Sequence, residues 1–141
     1  MRILTPDNNP EVLAPDGTSG AVSEARGTSA TLTVNADGAY TTDIITDAAP
    51  GGLYEIFISY VCTAAAAAGA GTGSAQWTDQ NGAQTFNFSG GTLDITTTTT
   101  IWDEYSVSIG AGGTISTTLT VAGYAAGPAT VEVRAAVIRL L

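Results

Sequence analysis

From residue 52 to the last residue, short runs of Thr, Val, Ile and Tyr alternate apolar with polar positions. Turns bearing Gly, Ala or Asn interrupt them at near-regular intervals. Period-two alternation sends successive side chains to opposite faces of a strand. The pattern therefore predicts an all-β chain, an antiparallel β-sandwich or jelly roll of about eight to nine strands.

The clearest strand spans Leu53 to Thr63. Tyr54, Ile56, Ile58, Tyr60 and Cys62 share one face, while Leu53, Glu55, Phe57, Ser59 and Val61 share a half-apolar second face. One fully apolar face and one mixed face suit a strand whose outer surface is also partly covered. Before it, Ala30, Leu32 and Val34 alternate with Thr31 and Thr33, and Asn35-Ala36-Asp37-Gly38 reads as a turn. The expectation is that the strand from Tyr40 to Thr46 closes a hairpin with its predecessor. Ala64 to Gly73 combines five consecutive Ala with Gly69, Gly71 and Gly73, which predicts a loop with at most one helical turn.

Ser74 to Gln80 reads as a strand carrying Trp77, and Asp79-Gln80-Asn81-Gly82 as a turn. Ala83 to Ser89 returns with Phe86 and Phe88 on one face, and Gly90-Gly91 breaks it. The β-branched run in Thr92 to Trp102 predicts one further strand. Tyr105, Val107 and Ile109 share a face, as do Ile115, Thr117, Leu119 and Val121. The final strand, Thr130 to Leu141, carries Val131, Val133, Ala135 and Val137 on one face and Ala136, Ile138 and Leu140 on the other. Apolar residues on both faces predict burial on both sides. That end is expected to be tied down, in the core or in a subunit interface formed by Val133, Ala135, Val137 and Leu141.

Residues 1–27 differ in kind. Pro6, Pro10 and Pro15 stand among Asp, Asn, Ser and Gly. Proline fixes φ and lacks a backbone donor, so this stretch reads as an extended N-terminal arm preceding a single domain over 28–141. Ile3, Leu4, Val12 and Leu13 are its candidate anchors on a partner.

Composition narrows the function. The chain has 141 residues, enough for one ordinary domain. Ala supplies much of the 44 % hydrophobic fraction, which predicts a thin core rich in small residues. The formal net charge is −9, and the four basic residues, Arg2, Arg26, Arg134 and Arg139, are scattered. Binding to a phosphate backbone needs clustered cations, so nucleic acid and anionic membranes are excluded as expected partners. No apolar run reaches membrane-span length and no signal peptide is visible, so a soluble chain made in the cytoplasm is expected.

Histidine and lysine are absent, and Cys62 is alone, so an activated thiol or an ordinary acid–base pair lacks its parts. Cys62 reads as a small buried hydrophobe. Asp103 and Glu104 are adjacent and would point to opposite faces of a strand, so they form no catalytic dyad. Asp37, Asp43, Asp47 and Asp79 suit turns. Asp79-Gln80-Asn81-Gly82 resembles a fragment of a calcium loop but lacks the later acidic ligand. The Gly69-Ala70-Gly71-Thr72-Gly73 run has no Lys and makes no phosphate loop. Trp77, Trp102, Tyr40, Tyr105 and Tyr124 fit either a sugar-stacking platform or ordinary core and sheet packing. No catalytic residue, cofactor or metal site is assigned, and the chain is not expected to be an enzyme.

Three stretches carry a family likeness: Leu53-Tyr54-Glu55-Ile56-Phe57-Ile58-Ser59-Tyr60, Ala75-Gln76-Trp77-Thr78-Asp79, and Val107-Ser108-Ile109-Gly110-Ala111-Gly112-Gly113-Thr114-Ile115. With the closing Val131-Glu132-Val133-Arg134-Ala135-Ala136-Val137-Ile138-Arg139-Leu140, the segment from Gly51 onward resembles the small jelly-roll virion proteins of tailed bacteriophages. These include capsid decoration (cement) proteins and head fibres with tumour-necrosis-factor-like trimers. The likeness lies in strand-and-turn patterns, not in chemical motifs. It implies a structural protein on the capsid surface of a virion, bound to the major capsid protein and to itself as a homotrimer. It also implies a last strand central to its sheet and near the threefold axis. A receptor- or carbohydrate-binding fibre domain, with Trp77, Trp102 and Tyr124 as contacts, is the alternative.

Overall fold

The computed structural model describes residues 2–4, 10–13, 19–20, 24–48 and 51–140, with side chains described from residue 27 onward apart from Asp47. Within the segment expected as an arm, β1 (Arg2–Leu4), β2 (Pro10–Leu13) and β3 (Ser19–Gly20) form a three-stranded antiparallel sheet of their own. Ile3 and Leu4 lie on β1, and Val12 and Leu13 on β2; their side chains, like Leu141, are outside the described residues.

Eight longer strands build the sandwich: β4 (Glu24–Val34), β5 (Gly38–Ala48), β6 (Gly52–Ala64), β7 (Ala68–Asp79), β8 (Gly82–Asp94), β9 (Thr100–Ile109), β10 (Gly113–Ala125) and β11 (Ala129–Arg139). β7 and β8 form a hairpin through the expected Asp79–Gly82 turn, where Asp79 Oδ1 accepts the Asn81 N–H at 2.7 Å. Outward from that tip, β6 pairs with β9, β5 with β10 and β4 with β11, all antiparallel. The ribbon rolls up so that β10 also pairs with β7 and β11 with β6. The outcome is two four-stranded sheets, β5-β10-β7-β8 and β4-β11-β6-β9, in a jelly roll. The expected β4–β5 hairpin does not form. The turn at Asn35–Asp37 carries the chain from one sheet to the other, and each strand pairs with a partner far along the sequence.

The core lies between the sheets. Tyr54, Ile56, Ile58, Tyr60 and Cys62 all point into it from β6, as their spacing predicts. Tyr105, Val107 and Ile109 from β9, and Ile115, Thr117, Leu119 and Val121 from β10, do the same. β11 is an inner strand, and Val131, Val133, Ala135 and Val137 are buried. The interior of the single chain thus takes up Val133, Ala135 and Val137, which present no surface to a neighbour. The other face of β11 carries exposed Arg134 and Ala136 and half-buried Glu132 and Ile138, so burial on both sides is not observed.

Three further expectations fail for local reasons. Ala68 to Gly73 is strand, not loop or helix. An added Cβ at Gly71 would sit 2.6 Å from Leu119 Cδ1, and one at Gly73 would sit 2.7 Å from the Phe88 ring. The glycines therefore open the inner face of β7 to larger side chains from its neighbours. Gly90-Gly91 does not end β8. Between the pairs Ser74–Asn87 and Thr72–Thr92, β8 carries extra residues in a bulge, with Gly91 at φ +95°. Finally, Thr96 to Thr99 is a turn between β8 and β9. Asp94 Oδ1 accepts both the N–H and the hydroxyl of Thr96 (2.8 and 2.6 Å), and the Thr99 hydroxyl donates to the Asp94 carbonyl at 2.8 Å. Such side-chain bonds to nearby backbone compete with a ladder and win where the next strand must change sheets.

A candidate docking face

The two outer faces of the sandwich differ. On β5-β10-β7-β8, polar side chains bond to one another. The Thr41 hydroxyl donates to Thr118 (2.9 Å), Thr118 to Gln76 Oε1 (3.0 Å), and Gln76 Nε2 to Ser74 (2.6 Å). On β4-β11-β6-β9, the register instead assembles an aromatic platform. Phe57 on β6 lies opposite Glu104 on β9, and Ser59 lies opposite Trp102. Phe57 and Trp102 are therefore diagonal neighbours on one face. Their rings stack with centroids 5.4 Å apart and planes 4° from parallel. They remain 43 % and 55 % exposed, although large aromatics in a monomer normally find cover.

Small residues flank the pair. Phe57 lies beside Ala136 on β11, which in turn faces Gly27 on β4. The surface next to the ring is a low shelf. One row away, Arg134 Nη2 pairs with Glu132 Oε2 at 2.6 Å, and with Ser29 and Thr31 these two residues line a shallow depression. On the other side stand Glu55, beside Phe57 on β6, and Glu104, beside Trp102 on β9. Glu55 hydrogen-bonds Glu104, and its nearby charge and some desolvation act the same way, so the Glu104 carboxyl holds its proton above the usual carboxylate range.

The remaining candidates are scattered. Adjacent Asp103 and Glu104 do diverge: Glu104 points outward, while Asp103 accepts the N–H and hydroxyl of Ser89 (2.7 and 3.0 Å), tying β8 to β9. Trp77 is half-buried against the core and Tyr105 is buried against Phe86 and Phe88. Tyr40 donates to the Ala36 carbonyl (2.9 Å), and the Tyr124 N–H bonds Asp37 (2.7 Å), both at the β4–β5 turn. Trp77, Trp102 and Tyr124 therefore do not converge. Cys62 is buried, its thiol donates to the Ala64 carbonyl at 3.3 Å, and burial pushes its pKa up. Among the described residues, no three metal-ligating side chains cluster. The pairing of Phe57 with Trp102 and of Glu55 with Glu104 was not foreseen; each needs the β6–β9 register, which alternation alone leaves free.

No protein-family model and no curated protein sequence matches the chain. Among solved structures, it is similar to a chain in the acidic stable capsid structure of Helicobacter pylori bacteriophage KHP30, at 12 % identity and TM-score 0.48, covering 83 % of this chain and 89 % of that one. It is also similar to a chain of infectious bursal disease virus strain Gx (11 % identity, TM-score 0.46), covering 85 % of this chain and 32 % of that one. A family 16 carbohydrate-binding module gives 12 % identity and TM-score 0.36, covering 87 % of this chain and 79 % of that one. The fold assignment rests on this chain's own two sheets.

Proposed function

We propose that the chain is a structural virion protein, a jelly-roll knob that decorates the outside of a phage capsid and binds the major capsid protein, with trimeric self-association. It works by surface complementarity and transforms no substrate. The observation that carries this reading is the exposed Phe57–Trp102 pair on the outer sheet face beside Ala136 and Gly27. Exposed aromatics over small residues favour burial against another macromolecule, and aromatic anchors dominate protein interfaces. The strand-and-turn likeness to phage decoration proteins supports the major capsid protein as that macromolecule.

The test is occupancy of stripped shells by the wild type and by the F57A/W102A double variant. Loss of binding by a folded double variant is the expected outcome, and unchanged occupancy overturns the reading. Deleting residues 1–20 separates the contribution of the N-terminal segment, with Ile3, Leu4, Val12 and Leu13, from that of the face. A glycan-binding fibre domain is the second reading, favoured by the exposed indole of Trp102 beside Glu104. Glycan-array binding lost in W102A, with shells unbound, selects it.

A further inference from the structure

The Phe57–Trp102 face is acidic at one end, and its own cation is already engaged. Glu55 and Glu104 are diagonal neighbours on the outer face of the β6–β9 ladder, whereas Arg134 is held by Glu132 beyond Ser59. The other arginine with a described side chain, Arg139, reaches back to the Gly51 carbonyl at 3.4 Å. Neighbouring carboxylates on an exposed surface repel, and an incoming cation relieves that repulsion. A net charge of −9 with only four arginines makes a second copy of this chain a poorer source of that cation than a basic partner.

We propose that this face docks a basic protein surface and takes one of its arginine side chains, with the guanidinium against the Phe57–Trp102 stack and its N–H groups toward Glu55 and Glu104. This inference rests on the proposed function and names the chemistry of the partner. Arginine fits better than lysine. Its planar guanidinium stacks on an indole and forks onto carboxylates, while an ammonium is a point charge that holds its water. The Ala136–Gly27 shelf leaves room for the backbone that delivers the side chain.

The experiment uses the full chain and two probes. Acetylated, amidated Gly-Arg-Gly-Arg-Gly peptides, with lysine and citrulline counterparts, are titrated while the indole N–H resonances of Trp102 and Trp77 are followed. The arginine peptide should shift Trp102 and leave Trp77 in place, with binding weakened about tenfold or more by citrulline and by E55Q/E104Q, since charge-assisted forks are the strong hydrogen bonds. Equal binding of the citrulline peptide, no response of Trp102, or indifference to E55Q/E104Q overturns the proposal. The same variant is then applied to stripped shells. Shell binding lost in F57A/W102A but kept in E55Q/E104Q rejects the arginine assignment and leaves the docking face standing. Shell binding kept in both variants rejects the docking face itself.

Discussion

Thr117 is fully buried, in a core whose other buried side chains are aliphatic, tyrosine or cysteine among the described residues. It accepts the Tyr60 hydroxyl at 2.6 Å and donates to the Ser74 carbonyl at 2.8 Å, so one hydroxyl joins β6 of one sheet to β7 of the other. Burial pushes the Tyr60 pKa well above the ordinary tyrosine range, which keeps the hydroxyl a donor. Orphaning a buried group costs more than removing both partners. Thr117→Val should therefore cost about 1–3 kcal/mol in urea unfolding, Tyr60→Phe about 1 kcal/mol, and the double variant less than their sum. Gly51 is more exacting. A Cβ there would lie 2.4 Å from the Ile109 carbonyl oxygen and 2.6 Å from the Ala111 nitrogen, both backbone atoms. Gly51→Ala should lower stability by about 3 kcal/mol or more, whereas Gly73→Ala meets a movable Phe88 ring and should cost less. At Glu104 the sign of the pH effect follows from a raised folded-state pKa. The strain with Glu55 is present at neutral pH and relieved as pH falls through that value, so Glu55→Gln should raise neutral-pH stability and flatten its acid limb.

Elements were legible where alternation and burial coincide. The inward faces of β6, β9 and β10 follow directly from their apolar spacing, because those strands have one buried and one solvated face. The first half of β7 was hidden because its inward positions are Gly69, Gly71 and Gly73, which carry almost no hydrophobic signal, while the half from Ser74 onward was read as strand. The threonine run misled in the other direction: its β-propensity was overruled by the bonds of Thr96 and Thr99 to Asp94. The docking face was half legible. Phe57 and Glu55 stood on the mixed face of β6, but their partners on β9 depended on register. Asp103 belongs to this scale too. Burial raises its pKa, but the N–H groups of Ser89 and Glu104 and the Ser89 hydroxyl outweigh that and hold it below the usual carboxylate range. A depressed folded-state pKa stabilises above the unfolded value of about 4 and is lost as pH falls through the folded one. Asp103→Ala should cost about 1–2 kcal/mol near pH 7, with faster amide exchange at Ser89 and across the β8–β9 edge. That penalty should vanish in strong acid.

At the scale of the whole molecule, fold class was readable and wiring was not. Turn chemistry at Asn35–Gly38 suggested a hairpin, yet the same residues serve a crossing between sheets, and nothing local distinguishes the two. Sedimentation equilibrium tests the proposed assembly. A trimer gives three times the 14.2 kDa of one chain, and a mass of one chain rejects it. The rolled ribbon also dictates when the sandwich becomes complete during synthesis. β11 fills the slot between β4 and β6, so a nascent polypeptide halted before residue 129 leaves two unsatisfied strand edges and an uncovered row of core side chains. Ribosome-stalled chains of that length should be cleaved readily by protease and bind chaperones, and resistance should arrive in one step once β11 clears the exit tunnel.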